Sequence, residues 1–283
     1  MGVAIVTDTC HYLPRGLTAN NGIHEVSLYV HWQGQIEPER EIIDYDAYYE
    51  RLRTASQLPT TSQPSIGDFL AVYEPLLDSG HEIVSIHLAG GMSGTVHSAE
   101  QAREQLGARA DHVRVVDSAT ACGGEGLVVL AAAAAVRRGA GPGDVADQAL
   151  RARARLKMWF AIDTLDYLRR GGRIGGAQAW LGSALKIKPI LSVESEITPV
   201  ERVRTSRRAF ERIVELLRTC KESGADAWVV QHIQVPAAAA ELVARGGEVM
   251  GCEPTVVSEI GPVIGTHVGP GLLGAGGISS SLL

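Results

Sequence analysis

Short apolar, β-branched runs alternate with longer amphipathic segments through the first half of the chain, the signature of β-α units feeding a largely parallel sheet. Val3 to Thr7, Val26 to Val30, Ile83 to Leu88 and Val113 to Val116 read as strands. Their largely apolar character predicts burial on both faces. Between them Ile66, Phe69, Leu70, Tyr73, Leu76 and Leu77 keep helical spacing, and Ser98 to Leu106 and Leu127 to Val136 read as further helices. Gly80 and Gly107 stand where helices should end. The run Ala131 to Ala135 reads as part of a tightly packed helix.

The pattern breaks at Arg137-Arg138-Gly139-Ala140-Gly141-Pro142-Gly143, and a helix rich in Arg and Ala follows. A boundary is expected close to residue 155, giving an N-terminal α/β domain over 1–155 and a C-terminal α/β domain over 156–283. In the second half the strands are Trp159 to Ile162, Ile187 to Val193, Ile197 to Val203, Trp228 to His232, Thr255 to Glu259 and Val263 to His267. Some of these neighbours are joined by short turns, which predicts antiparallel pairing. Helices near Ser206 to Glu222 and Pro236 to Arg245 would cover that sheet. The fold class is therefore α/β, with a largely parallel first sheet and a mixed or antiparallel second one.

Composition narrows the function. The 283 residues are 45% hydrophobic and 20% charged, with 26 Lys+Arg against 32 Asp+Glu and a net charge of −6. That balance fits a soluble globular protein in which each half can bury its own core. It argues against a broad nucleic-acid or anionic-membrane surface, both of which need clustered positive charge. Cys10, Cys122, Cys220 and Cys252 lie far apart, with no metal-like grouping with the nine histidines, so reduced and mostly buried thiols are expected. The N-terminus enters a strand pattern at once and no stretch approaches the ~20 apolar residues of a membrane span, which makes the cytoplasm the expected location.

Residues with chemical potential gather at strand ends, which face the ligand crevice in open α/β sheets. Thr60-Thr61-Ser62-Gln63-Pro64-Ser65 precedes a helix beginning near Ile66. Its hydroxyls and free N–H groups suit an anion, while Ser65 also suits an ordinary N-cap. Ala89-Gly90-Gly91-Met92-Ser93-Gly94-Thr95 has the strand, glycine loop and helix order of anion-binding sites, with the Ser93 hydroxyl at its tip. No Lys follows the glycines, so the loop is not a nucleotide P-loop, and Gly91-Met92-Ser93-Gly94-Thr95 lacks the last glycine of a nucleophile elbow. A carboxylate or phosphate receptor fits it better than an ATP cradle.

Arg169-Arg170-Gly171-Gly172-Arg173-Ile174-Gly175-Gly176 sets three guanidinium groups beside flexible backbone, an arrangement suited to an oxyanion and equally to a solvated loop. Arg202, Arg204, Arg207 and Arg208 form a second basic cluster, readable as a salt-bridged face or as a docking site for an acidic partner or phosphate. His267 closes the last predicted strand and is followed by glycines that permit close approach. Gly269 to Gly274 satisfies G-x-G-x-x-G, but without the βαβ unit and later acid of a dinucleotide site. Asp8 and Asp117 end two other strands, where each could orient a hydroxyl, cap a helix, or complete a hydrolase-like trio with Ser93 and His267.

Taken in order, Ile5-Val6-Thr7-Asp8-Thr9, Thr61-Ser62-Gln63-Pro64-Ser65, Met92-Ser93-Gly94-Thr95, Arg170-Gly171-Gly172-Arg173-Ile174, Leu185-Lys186-Ile187-Lys188-Pro189-Ile190 and Gly265-Thr266-His267-Val268-Gly269-Pro270-Gly271 resemble the DegV family over nearly the whole chain. The resemblance implies two domains with a long-chain fatty acid such as palmitate in a tunnel between them. It implies that the carboxylate is held by Thr61 and Ser93, with Ser62 and Gly94 beside them, and that Arg173 and His267 belong to the polar network of the head group. It further implies a carrier with no chemistry of its own and no cofactor, making only transient membrane contact and no nucleic-acid contact. Such a carrier would present the acid to a separate fatty acid kinase that makes acyl-phosphate for phospholipid synthesis. Separately from the resemblance, the basic cluster makes Arg202 and Arg204 the expected partner-docking residues. The chain departs from the family at Leu88-Ala89-Gly90-Gly91, where further serines are usual, at Thr9-Cys10-His11 and at Ile278 to Leu283.

Physical logic agrees. Burying the roughly 14 methylenes of a 16-carbon tail yields on the order of 11 kcal/mol before ordering costs. Removing a carboxylate from water costs several kcal/mol unless donors replace its hydration. The competing expectation is a serine hydrolase of acyl esters using Ser93 and His267.

Overall fold

The computed structural model describes residues 2–181 and 187–283. Leu185 and Lys186 of the Leu185-to-Ile190 motif lie outside them. The first part of the chain runs β1 (Val3–Asp8), α1 (Arg15–Asn20), β2 (Ile23–Val26), β3 (Tyr29–Trp32), β4 (Gln35–Pro38), α2 (Tyr45–Thr54), β5 (Thr60–Ser62), α3 (Ile66–Asp78), β6 (Glu82–His87), α4 (Thr95–Gln105), β7 (Val113–Asp117), α5 (Gly123–Arg137) and α6 (Pro142–Arg155). The second runs β8 (Lys157–Ala161), α7 (Asp166–Arg170), β9 (Lys188–Glu194), β10 (Glu196–Val203), α8 (Ser206–Glu222), β11 (Ala227–His232), α9 (Pro236–Met250), β12 (Val256–Glu259), α10 (Pro262–Val268) and β13 (Leu273–Ile278).

Three sheets result. β2-β1-β6-β7 is wholly parallel, with α3 and α4 on one face and α5 and α6 on the other. β10-β9-β8-β13-β11-β12 is mixed, its only parallel pair among the described residues being β11 with β12. This is the α/β class that the sequence pattern implies. The third sheet, β4-β3-β5, is small and antiparallel, and the periodicity did not reveal it because its strands are three or four residues long. No described helix is long and apolar enough to cross a membrane.

α5 is the pivot of the molecule. Every residue from Gly123 to Ala135 is buried, including Glu125, and from Leu127 to Val136 the helix is apolar all round. It touches β1 of the parallel sheet and β13, β11 and β8 of the mixed sheet. The alanine run lets both sheets close on one helix. The opposite face of the mixed sheet is covered by α8 and α9, α8 burying Phe210, Ile213, Val214 and Leu217 at helical spacing.

Two elements differ from the sequence expectation. Val26 to Val30 is not one strand: the chain leaves the parallel sheet at Val26 and enters the small sheet at Tyr29. Val263 to His267 is helix α10, not a strand. Its β-branched residues suggested β structure, but Pro262 at the first helical turn fixes φ and Gly269 ends the helix at φ 78°. Tertiary packing overrides the propensity.

Candidate functional site

A narrow cavity is lined at its polar end by Thr61, Ser62, Gln63, Ser93, Arg173 and His267. Met92, Ile264 and Val268 line both this cavity and a second narrow one, whose remaining wall includes Ala121, Cys122, Met158, Phe160, Leu272 and Gly274. Thr61, Arg173 and His267 also line a wider cavity with Arg170 and Gly171. The three adjoin through these shared residues, the third next to the polar neck and the second, apolar one beside the mixed sheet.

Each part of the neck is held from a distance. Thr61 sits on β5, paired with Val30 of β3, and its Oγ1 is hydrogen-bonded to Nε2 of His267, 2.7 Å away and 206 positions along the chain. α10, which carries His267, is anchored by groups that no local pattern connects. Glu39 Oε1 accepts from the Val263 N–H (2.7 Å) and the Tyr12 hydroxyl (2.8 Å), and Oε2 from the Thr9 hydroxyl (2.6 Å). Tyr49 donates to the Ile260 carbonyl (2.6 Å), and the Tyr48 and Thr266 hydroxyls are 2.6 Å apart. The imidazole Nδ1 of His267 is buried without a partner among the described residues and packs so closely on Gly171 that a Cβ there would overlap it.

The serine loop is ordered by the two aspartates. Asp117 accepts from the N–H groups of Gly90 and Ala119, and Asp8 accepts from those of Cys10 and Leu88 and bonds Nδ1 of His87. The turn between β9 and β10 docks beside this loop, Ser195 N–H donating to the Ala119 carbonyl at 2.9 Å. Ser93 Oγ lies 2.8 Å from Thr95 Oγ1.

Electrostatics favour neutrality inside and positive charge at the mouth. Burial, with the Arg173 guanidinium second, pulls His267 down from 6.5 to about 4, so its imidazole is neutral at pH 7. Burial, with Glu125 adding to it, pushes the Cys122 thiol well up, so that wall is uncharged. Gln231, the one amide on the apolar wall, has its polar atoms engaged: Oε1 accepts from Gly123 N–H, and Nε2 donates to Ser258 Oγ at 2.9 Å. Arg173 is exposed and donates to the Gly171 carbonyl (2.8 Å).

The hydrolase arrangement is not assembled. His267 Nε2 faces Thr61 and not Ser93, and Asp8 and Asp117 are bonded to backbone and His87. A general base must reach the hydroxyl that it activates. Ser62 borders the neck, but its hydroxyl is bonded to His31 Nε2 at 2.7 Å. Gly94 lies just outside, where a Cβ would meet the Gln63 amide 2.8 Å away. The second basic cluster divides: Arg207 pairs with Glu211 and Glu241, and Arg208 with Glu215. Arg202 lies over the Trp180 ring, 5.4 Å from its centroid. Among the described residues, neither Arg202 nor Arg204 has an acidic partner.

Comparison with known proteins gives consistent matches. The model of the family described as "Uncharacterised protein, DegV family" matches residues 2–279. The chain is 36% identical to Protein DegV of Bacillus subtilis over 282 residues, covering 97% of this chain and 98% of that protein. It is 38% identical to a DegV domain-containing protein of Streptomyces coelicolor, covering 96% of each. Among solved structures it is similar to a DegV family protein from Thermus thermophilus described for its fatty acid binding, with a TM-score of 0.88, 35% identity and coverage of 99% of this chain and 100% of that one. It is likewise similar to DegV of Bacillus subtilis, described as a fatty acid binding protein, with a TM-score of 0.89, 34% identity and the same coverage.

Proposed function

We propose that this chain, which belongs to the DegV family, is a cytoplasmic carrier that holds a long-chain fatty acid such as palmitate in the channel between lobes 1–155 and 156–283. The observation that carries the reading is that the polar neck at Thr61, Ser93 and His267 adjoins an apolar cavity, with Met92, Ile264 and Val268 lining both. The neck fits a carboxylate and the interior fits an alkyl chain. The Thr61 and Ser93 hydroxyls donate to the carboxylate, each charge-assisted bond contributing about 1.5–3 kcal/mol, and Arg173 closes the outer side. Thr61 can donate outward only if the proton between it and His267 sits on Nε2. That tautomer leaves a bare lone pair on the unpartnered Nδ1, which costs less to bury than an unpaired N–H.

The chain would present the acid to a separate fatty acid kinase for acyl-phosphate formation in phospholipid metabolism. The exposed Arg202 and Arg204, which have no acidic partner among the described residues, supply the docking charge.

One experiment with two arms tests this. Denaturing mass spectrometry of lipid extracted from the purified protein is expected to return a long-chain acid, and Thr61→Ala to lose most of it; an empty extract together with no thermal shift on adding palmitate or oleate would refute the carrier. In the second arm the loaded protein is offered to a fatty acid kinase. The doubly substituted Arg202→Glu, Arg204→Glu protein should keep its lipid and lose turnover by roughly tenfold or more, as for removal of rim charges that steer association; unchanged turnover removes the docking assignment.

A further inference from the structure

We propose that Met158 is the floor of the acyl cavity and sets the longest chain the protein accepts. The inference rests on the carrier reading and adds a specificity-determining residue to it. β13 runs away from the polar neck, beginning just after Leu272 and Val268, so depth in the cavity can be measured along its register. The first row across the mixed sheet is Phe160, Gly274 and Gln231, paired directly through β8, β13 and β11. The next row is Met158, Gly276 and Val229.

The two rows differ at the glycine. Gly274 leaves its place on the sheet open to the cavity and is part of its wall. Gly276 is not part of the wall: a Cβ built on it would meet the Lys157 carbonyl oxygen and Met158 Cα, with Met158 Sδ 2.8 Å away, so the thioether lies beside it. Of the residues on β8 and β13 that border the cavity, Met158 is thus the farthest from the neck. Val229 of its own row, and Leu156 and Ile278 beyond it, are buried in the core around α5 and are not part of the cavity wall. A flexible, unbranched thioether closes such a space by packing against a terminal methyl instead of by hydrogen bonding.

The test is affinity for saturated acids of increasing length, from laurate to behenate, by displacement of a fluorescent fatty acid. For the unaltered protein, affinity should rise about fourfold per added methylene and then stop rising where the terminal methyl meets Met158. Met158→Ala should move that break to longer acids, Met158→Val should move it less in the same direction, and Met158→Phe should move it to shorter ones. Affinity for laurate should change by less than about threefold in all of them. If the variants still bind and the break stays in place, Met158 is not the floor, while the carrier reading stands. If the unaltered protein binds none of the acids, the carrier reading fails and this inference falls with it. The Val and Phe variants keep an apolar side chain at this partly buried site, so the direction of the shift can be read even if the Ala variant folds poorly.

Discussion

The neck and the interior of the channel are built in opposite ways. At the neck, position is fixed by single hydrogen bonds between residues remote in sequence: Thr61 to His267, Glu39 to Val263, Tyr49 to Ile260. In the interior, position follows from strand register and apolar packing, with Phe160 and Gly274 facing each other simply because β8 and β13 pair. The neck should therefore fail abruptly when one atom is lost or added, whereas the interior should change its capacity gradually, since apolar cores tolerate substitution of similar volume.

The sharpest way to break this contrast is Glu39→Ala. It deletes an acceptor for three donors, the buried ones on Tyr12 and Val263 and the half-buried Thr9 hydroxyl. Each orphaned donor costs ~1–3 kcal/mol, so a loss of about 3 kcal/mol or more is expected in a urea unfolding series, with acid binding lost as α10 shifts. A loss below about 1 kcal/mol would show that α10 is held by packing, as the interior is.

A smaller effect is expected at Gly171. Its φ of −79° suits alanine as well as glycine, so Gly171→Ala tests only the contact with His267. Acid affinity should fall about tenfold, of the order of one charge-assisted hydrogen bond, with the unfolding midpoint nearly unchanged. Unaltered affinity would mean that the histidine does not position Thr61.

A further effect concerns pH. The folded-state pKa of His267 is lowered from 6.5 to about 4, so the neutral imidazole is favoured by folding. Its contribution to stability is complete above 6.5 and is lost as pH falls from there toward 4. Unfolding midpoints should drop over that window for the unaltered protein and drop less for His267→Gln. Parallel curves would place the acid sensitivity elsewhere.

Much of the architecture was legible because it depends on local pattern. The apolar runs of β1, β6 and β11 announce strands buried on both faces, and the all-apolar stretch of α5 announces a helix with no exposed side. The candidate site was legible mainly through motif resemblance, since a Thr, a Ser and a His scattered over two hundred positions carry no spacing rule. Where local signals conflicted, as at Val263 to His267, β-branched residues outweighed the Pro262 and Gly269 punctuation that marks a short helix. Glu39, Tyr12 and Tyr49 offered nothing to find, because an acid or tyrosine in a polar stretch looks the same whether solvated or buried beneath a distant helix.

The amino-acid pattern by itself determined the α/β class, the parallel and mixed sheets and the buried central helix, because hydrophobic periodicity is a property of neighbours along the chain. Only the tertiary structure decided that Thr61 meets His267, that Glu39 holds α10 and that Met158 lies beside Gly276. Those contacts join residues whose proximity is set by how three sheets pack around one helix, and no single segment encodes that distance.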